Sequence, residues 1–321
     1  MIVVWQVTDE CNFSCGFCKY DKRLAIPRRQ AQVDEVERFG KLLSEYHLEN
    51  NRKVLLSFLG GEPLLWPPLI SVAEKLAPLG VALSLTTNGS ALTSLRVRQS
   101  ILSYFSEITI SVDGFAETHE ALRGQLNSWS KLKSSVLALN SERIKRNSPL
   151  LLRINIVVMK DNIDDFNELC RELASWGIDE ICFNQLGGRD RPEFFSDHRL
   201  QPQDVMQLRQ AVTILRQDLA EIGVRLLGDD RYIDRIAASS NDSPMPIADC
   251  RPGEDYLFVD ESDRVSPCSF TGAELGVPLA KIKTTNDVQD LVNTYRALRN
   301  KQRPSVCADC PSTQVFAKFR A

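Results

Sequence analysis

Apolar runs alternate with longer amphipathic stretches from residue 1 to about residue 186, and this alternation constrains the fold more than any other feature of the 321-residue chain. The runs have the length and composition of strands, and the stretches between them have helical periodicity. The predicted strands are 2–8, 53–59, 81–86, 107–112, 150–158 and 180–186. The predicted helices are 33–48, 67–79, 94–104, 128–142 and 163–176. Six βα-type units are too few for a closed eight-unit barrel, so we expect an α/β fold with a partly open parallel barrel and external helices.

The pattern changes after residue 186. Residues 187–201, which read Gly-Gly-Arg-Asp-Arg-Pro-Glu-Phe-Phe-Ser-Asp-His-Arg-Leu-Gln, indicate a loop that leaves the barrel. A long helix is predicted from Pro202 to Ile222, and the polar cluster from Ser239 to Pro246 indicates a linker. Beyond it, the sequence predicts a β-hairpin and a final helix, at 256–259 with 264–266 and at 285–300.

Charge and cysteine content limit the class of protein. The net charge of −3 gives no basic surplus that would favour nucleic acid or an anionic membrane as a partner. The N-terminus lacks a secretory pattern and no run approaches the length of a membrane span, so we expect a cytoplasmic protein. In a reducing compartment, nine cysteines indicate metal or cluster ligation and not disulfide bonds.

Three of these cysteines follow the first predicted strand. Cys11, Cys15 and Cys18 have the spacing C-x3-C-x2-C, so one short loop can turn three thiolates inward. Such a loop can ligate three irons of a cubane cluster and leave the fourth iron open for a substrate or cofactor. The alternative is three buried cysteines that act as small apolar residues.

This loop and its position resemble the radical S-adenosylmethionine (SAM) superfamily. The resemblance implies a partial (β/α)6 barrel of the TIM type, a 4Fe-4S cluster on Cys11, Cys15 and Cys18, and SAM bound at the open iron. It also implies cleavage of SAM to a 5′-deoxyadenosyl radical, with electrons from a donor such as flavodoxin or ferredoxin. Phe17 matches a family position whose backbone borders the adenine.

Further candidate residues stand at the predicted strand ends, where sites gather in such barrels. Glycines let a backbone approach a ligand closely, and a carboxylate can accept hydrogen bonds from an ammonium group. The Gly60-Gly61-Glu62-Pro63 motif matches the family motif that binds the amino group of SAM. The resemblance and the strand ends assign the remaining ribose, carboxylate and adenine contacts to Thr87, Asn88, Ser111, Asp113, Arg123, Asn155, Gln185 and Leu186.

Four more cysteines stand in the C-terminal part, at Cys250, Cys268, Cys307 and Cys310. A C-x2-C pair with two distant cysteines suffices to ligate a metal completely, and a structural zinc ion would use the same four thiolates. The arrangement resembles the twitch type of extension in radical SAM enzymes, a shortened relative of the SPASM domain. That resemblance implies a small C-terminal α+β domain, a hairpin plus helix, with one auxiliary 4Fe-4S cluster.

The remaining thiols and imidazoles have no ligand spacing. Cys170 and Cys182 lie in a helical pattern and a strand pattern, and we expect both in the core. We expect surface or turn positions for His47, His119 and His198.

These assignments divide the chain into three parts. We expect the partial barrel in residues 1–190, a linker and bridging helix in 191–245, and the auxiliary-cluster domain in 246–321.

The substrate follows from resemblance alone. The Gly-Gly-Arg-Asp-Arg-Pro-Glu-Phe segment at 187–194 and the four-cysteine tail resemble maturases of ribosomally made peptides that act on Nif11-like precursors, including tyramine-excising spliceases. Because the first predicted strand begins at residue 2, this hypothesis predicts a separate partner protein that captures the leader peptide. The alternatives are oxidation of a small-molecule alcohol, such as an aminocyclitol or sugar, and a non-catalytic cluster-bearing scaffold.

Overall fold

The computed structural model describes residues 1–316 and 318–319, and its strands form a single open sheet. The ten strands are β1 Ile2–Thr8, β2 Leu55–Gly60, β3 Ala82–Thr87, β4 Glu107–Ser111, β5 Leu151–Val158, β6 Glu180–Gln185, β7 Arg225–Leu226, β8 Tyr256–Val259, β9 Arg264–Ser266 and β10 Val277–Pro278. The α-helices are α1 Val33–Asn50, α2 Leu69–Leu76, α3 Leu95–Tyr104, α4 Ala116–Arg123, α5 Ser128–Lys145, α6 Phe166–Ala174, α7 Pro192–His198, α8 Pro202–Glu221, α9 Asp230–Ser240, α10 Gly272–Leu275 and α11 Thr285–Lys301.

The sheet runs in sequence order through its parallel part. Strands β1 to β7 pair consecutively and in parallel, which confirms the expected α/β fold with a partial, TIM-like barrel. On the free side of β1, strand β8 adds in parallel and is followed by the antiparallel strands β9 and β10. The C-terminal hairpin therefore extends the barrel sheet.

The two faces of the sheet differ in polarity because side chains alternate along each strand. Trp5 packs on the helical layer with its ring centroid 5.8 Å from that of Phe39 in α1. The next residue, Gln6, lies on the opposite face and donates to the side chains of Asp9 and Glu261. The same inner face carries polar groups on the later strands, so the helices cover an apolar face and the barrel interior is polar.

Most of the predicted elements are present, with ends that differ by a few residues. All six predicted strands, the hairpin and the helices α1, α2, α3, α5, α6, α8 and α11 are observed. The loop prediction for 187–201 was wrong in part, because α7 begins at Pro192. Proline suits the first helical turn, and Phe194 and Phe195 gain a packing surface that only the folded barrel provides.

The region after the barrel is joined to it through the sheet and through side chains. Tyr295 of α11 is fully buried and donates from its hydroxyl to the carbonyl of Val265 in β9 at 2.7 Å. Asp229 caps α9 by accepting from the backbone N–H groups of Arg231 and Tyr232. The division of the chain into three parts stays a prediction.

No helix among the described residues is both long and apolar enough to cross a membrane.

Candidate functional site

The N-terminal cysteine loop follows β1 at the mouth of the barrel. Cys15 is buried, whereas Cys11 and Cys18 are partly exposed. Backbone N–H groups point at two of the sulfurs, from Phe13 to Cys11 and from Tyr20 to Cys18, each at 3.4 Å. The loop therefore presents its sulfur atoms with donors already directed at them, an arrangement that suits thiolate ligands of an iron-sulfur cluster.

The electrostatics of these thiols favour a metal partner. Burial raises the pKa of the Cys18 thiol to about 12, and the neighbouring Cys15 and Cys11 raise it further. Burial also raises the pKa of Cys15, although the guanidinium of Arg123 acts in the opposite direction. Three adjacent thiols in this loop ionise together only when a cation compensates their charge, and iron provides that charge. The donor set fits the cluster that the sequence predicts.

The glycines of the Gly-Gly-Glu-Pro motif allow β1 and β2 to approach each other closely where both strands end. A Cβ atom on Gly60 would stand 2.3 Å from the carbonyl oxygen of Thr8, and one on Gly61 would stand 2.2 Å from that of Glu10. Both contacts are with backbone, which cannot move aside cheaply. The short 3₁₀ turn Pro63–Leu65 then begins directly after the motif. Glycine is required here so that the next residue faces the site.

That next residue, Glu62, is completely buried. Its carboxylate accepts hydrogen bonds from the hydroxyl of Thr87 and the backbone N–H of Asn88, both at 2.7 Å, and from the N–H of Leu64 at 3.1 Å. Burial nevertheless raises the pKa of this carboxyl to about 7. The structure thus brings together the predicted residues of two strand ends, and the carboxylate is held where a ligand cation would favour its ionised form.

Asp113 and Arg123 form a second buried polar group at the mouth. The Nε atom of Arg123 lies 2.6 Å from Oδ2 of Asp113, and both side chains are almost fully buried. The second oxygen of Asp113 accepts from the N–H of Val157 at 2.8 Å. Arg123 also lies over the ring of Phe17, with 5.6 Å between the guanidinium carbon and the ring centroid. Two predicted cofactor residues are therefore an ion pair, and Arg123 is no solvated surface arginine.

The expected surface position of His119 was wrong, because its imidazole is completely buried behind this ion pair. Its Nδ1 accepts from the backbone N–H of Asp113 at 3.2 Å, and its ring packs on Trp129. Burial and the charge of Arg123 lower the pKa of His119 to about 3, so the ring is neutral. His119 holds the loop that carries Asp113. No ligand spacing marks it in the sequence.

Ser111 and Asn155 are partners in the register of β4 and β5 on the polar inner face. The side-chain oxygen of Asn155 accepts from Cys182, Asn184 and Lys318, the last at 3.0 Å. The structure confirms the core positions expected for Cys182 and Cys170. Lys318 enters the barrel interior from the C-terminal tail, and nothing in the sequence marks it. Only the amide nitrogen of Asn155 is free of these contacts.

A cavity of about 730 Å³, the central cavity, opens beside the cysteine loop. Its wall includes Phe17 from the loop and Gln185 with Leu186 from the end of β6, so it brings three of the predicted residues together. On the opposite side it is lined by Phe270 and Val306 from the C-terminal region. The cavity therefore reaches from one cysteine-bearing region to the other.

The four C-terminal cysteines line one further cavity of about 410 Å³. Phe270 and Val306 border both cavities, so the two are neighbours. Within the described residues, no three His, Cys, Asp or Glu side chains converge closely enough to hold a single metal ion. Thiolates around one zinc ion would lie about 3.8 Å apart, whereas a cluster of several irons spreads its ligands more widely. The zinc ion and the auxiliary cluster therefore both stay predictions for this set of cysteines.

The central cavity is also lined by residues to which the sequence assigned no role, namely Arg189, Arg199, Tyr232 and Arg235. Arg189 lies in the 187–194 segment, whose resemblance to peptide maturases gave no role to single residues, and Tyr232 and Arg235 lie on α9, which carries no recognisable motif. Charged residues on a helical pattern are usually solvated, so no sequence signal separates Arg235 from its neighbours.

A family model described as the radical SAM superfamily matches residues 5–173. The chain is 22% identical over 340 residues to an AdoMet-dependent heme synthase of Methanosarcina barkeri, covering 100% of this chain and 91% of that relative.

Two solved structures share the fold. One is Streptococcus suis SuiB bound to precursor peptide SuiA, with a TM-score of 0.66 and 17% identity over 99% of this chain and 70% of that one. The other is anSMEcpe with bound AdoMet and Kp18Cys peptide, with a TM-score of 0.67 and 17% identity over 99% of this chain and 88% of that one.

Proposed function

Because the chain belongs to the radical SAM superfamily, we propose that it modifies a ribosomally made precursor peptide by radical chemistry. Membership of the family implies SAM and a 4Fe-4S cluster. When bound, these cofactors supply a 5′-deoxyadenosyl radical that abstracts a hydrogen atom from the substrate. The protein then has to hold the cofactors, position the substrate and exclude water.

The chain offers the groups that this binding needs. Cys11, Cys15 and Cys18 would ligate the cluster, and the carboxylate of Glu62 would receive the ammonium group of SAM. Arg123, already paired with Asp113 beside the cysteine loop, would face the methionine carboxylate. Further SAM contacts are proposed for Phe17, Gly60, Gly61, Pro63, Thr87, Asn88, Ser111, Asn155, Gln185 and Leu186.

One observation supports the substrate assignment above others: the central cavity extends from Phe17 at the cysteine loop to Phe270 and Val306 beside the second cysteine set. A substrate there would be near both cofactor sites. A cavity of about 730 Å³ accommodates a few residues of an extended chain, with room for side chains to be oriented. The two fold neighbours, each solved with a bound peptide, add support for a peptide substrate.

A tetrapyrrole is the second candidate substrate. The relative named as a heme synthase aligns with this whole chain and with 91% of its own length. Heme is a tetrapyrrole with carboxylate side chains, and the central cavity carries Arg189, Arg199 and Arg235. Oxidation of a small-molecule alcohol remains a further alternative, because the cysteine spacing suits that class as well.

The cofactor proposal for the second cysteine set is a closed auxiliary 4Fe-4S cluster on Cys250, Cys268, Cys307 and Cys310. A cluster with four protein ligands transfers electrons or shapes the pocket, since no iron is left open for substrate. Iron, zinc and sulfide analysis of anaerobically purified protein tests it. Two clusters require about eight irons per chain, whereas a zinc site would leave about four irons and one zinc.

Mass spectrometry separates the candidate substrates. We expect reduced, reconstituted protein with SAM to change the mass of a precursor peptide encoded beside its gene and to release 5′-deoxyadenosine. A porphyrin product or a ketone without peptide turnover would instead support the other candidates. Formation of no 5′-deoxyadenosine with any of them would favour the non-catalytic scaffold.

The same assay tests the partner protein. We expect full turnover only when a separate leader-binding protein is present, and an electron donor such as flavodoxin or ferredoxin can replace the chemical reductant. Complete processing of full-length precursor by the chain alone would remove the need for that partner.

A further inference from the structure

Arg235 is the most deeply buried cation in the wall of the central cavity. It lies on α9, where Asp229 fixes the start of the helix, and its exposed fraction is 4%. The guanidinium carbon lies 5.9 Å from the ring centroid of Phe316, so an aromatic face covers one side. A charge removed from water in this way needs a compensating partner.

Asp309, between the cysteines of the C-x2-C pair, satisfies that need only in part. Its Oδ1 lies 2.8 Å from Nη1 of Arg235, but the contact lacks hydrogen-bond alignment. The same Oδ1 accepts from the backbone N–H of Met245, and the Asp309 side chain is half-exposed. Among the described residues, Asp309 is therefore the carboxylate that pairs with Arg235, and the same carboxylate also binds the backbone of the loop at Met245.

Most of the donors of Arg235 are unused. A guanidinium carries five N–H groups in a planar fork, and among the described residues neither Nε nor Nη1 of Arg235 has a hydrogen-bond acceptor. A buried donor without an acceptor destabilises the folded state, so native proteins normally provide an acceptor. An acceptor in the cavity itself would remove this cost.

The other two arginines of the cavity differ from Arg235. Arg199 donates to the carbonyl of Ser239 at 2.6 Å and pairs with Asp242 at 2.8 Å. Arg189 is exposed and lies over the ring of Phe270. Among the arginines that line the described part of this cavity, Arg235 therefore differs in being buried, with Nε and Nη1 shielded from solvent and without a hydrogen-bond acceptor.

We propose that Arg235 binds a carboxylate of the substrate in the central cavity. Arginine suits this role because its fork matches a carboxylate with two parallel hydrogen bonds, and burial strengthens both. The inference depends on the proposed function only in taking the central cavity as the substrate site. The carboxylate can belong to an acidic peptide residue or to a carboxylated small molecule such as a porphyrin.

The test measures binding to the reconstituted holoenzyme and does not need turnover. Two probe pairs represent the two possible sources of the carboxylate. For an acidic peptide residue, calorimetry compares N-acetylglutamate methylamide with its glutamine analogue. For a carboxylated small molecule, fluorescence quenching compares mesoporphyrin with its dimethyl ester. We expect the carboxylate member of one pair to bind at least tenfold more tightly than its neutral partner. The Arg235→Gln variant should abolish that preference.

Arg171→Gln is the matched control, because Arg171 also pairs with one aspartate at 2.8 Å but lies on the exposed side of α6. The Arg171→Gln variant should bind both probe pairs with the same affinities as the wild-type protein. A preference that survives Arg235→Gln, or a wild-type protein that shows no preference in either pair, overturns the inference. A preference lost in Arg235→Gln supports it, and the pair concerned identifies the source.

Two more variants separate binding from folding. Arg235→Lys keeps the charge without the fork and should retain the fold while weakening the carboxylate probe about tenfold. Asp309→Asn removes the competing counter-charge and should tighten the same probe, provided that the iron content is unchanged. If the role of Arg235 were purely structural, the carboxylate probe would bind more weakly to both Arg235→Lys and Asp309→Asn.

Failure of this inference is distinguishable from failure of the proposed function. Modification of the precursor peptide with no carboxylate preference would refute the subsite alone. An Arg235-dependent preference without any peptide modification would keep the subsite and remove the peptide assignment.

Discussion

The two cysteine sets of this chain are built in opposite ways. The first lies within eight consecutive residues of one loop, and the side chains around it, such as Glu62 and Asp113, are fully buried and hydrogen-bonded. The second comes from three segments between residues 250 and 310, and its cysteines are all partly exposed. The barrel itself preforms the first site.

The second site depends on what it binds. Its cysteines line one cavity from irregular segments and, for Cys307, from the short 3₁₀ turn Ser305–Ala308, and Asp309 is half-exposed. A metal group that ties such segments together contributes its binding free energy to their folding. On the proposed assignment, the first site would need its cluster for chemistry, whereas the second would need its metal group for structure as well.

The largest expected effect comes from removing one thiol from each set. Cys15→Ser should reduce 5′-deoxyadenosine formation to background, because the first cluster loses a ligand, while the barrel stays folded. Cys250→Ser should keep 5′-deoxyadenosine formation within about threefold and lose substrate product. Chromatography of the nucleoside, with iron analysis of each variant, measures both.

Hydrogen exchange sharpens the same contrast. Faster exchange in the segments around Cys250 and Cys310 is expected only in Cys250→Ser. Cys170→Ser is the control, since Cys170 is a buried residue of α6 that belongs to neither set. Equal loosening of both regions in Cys250→Ser would contradict the proposed independence of the barrel site.

The sequence predicts the first site well because each part of it is local. The cysteine spacing lies in one loop, and the turn at Gly60 and Gly61 requires glycine for reasons internal to two adjacent strand ends. Parallel strands then bring their carboxyl ends together, so Glu62, Thr87 and Asn88 meet without any further information.

The residues that the sequence does not predict acquire their roles through distant contacts. Arg235 meets Asp309 across 74 positions, and Lys318 reaches Asn155 across 163. The burial of His119 depends on Trp129 of the following helix. The hairpin is predicted from its own residues, but its pairing with β1 is not, because an exposed strand edge has no local signature.

Ion pairs extend the comparison to stability. Asp113→Asn leaves Arg123 buried beside a neutral amide, and breaking such a pair costs about 3–5 kcal/mol of unfolding free energy. Near the second set, the exposed Asp255 pairs with Arg52 and with Arg251, and such pairs contribute at most about 1 kcal/mol each. Denaturant unfolding of Asp113→Asn and Asp255→Asn should show this difference. Similar losses in both variants would mean that the barrel mouth is no more rigid than the second site.

The smallest effect is a pH dependence that belongs to the first site alone. Burial raises the pKa of Glu62 to about 7 from a usual value near 4.5, so the folded protein binds this proton more tightly than the unfolded chain. The contribution of the protonated Glu62 to the free energy of unfolding is complete below about pH 4.5 and is lost as the pH rises towards 7. Without SAM, the free energy of unfolding should therefore fall by about 2–3 kcal/mol more between pH 5 and pH 8 in wild type than in Glu62→Gln.

SAM should remove much of that difference, since its ammonium group compensates the ionised carboxylate of Glu62. Thermal melts of reconstituted protein at each pH, with and without SAM, measure the effect. Glu193→Gln is the control, because Glu193 is an exposed carboxylate on α7 and should leave the pH profile above 5 unaltered. A wild-type pH profile parallel to that of Glu62→Gln would show that Glu62 is not protonated before the cofactor binds. The contrast between the two sites would then depend on their cysteines alone.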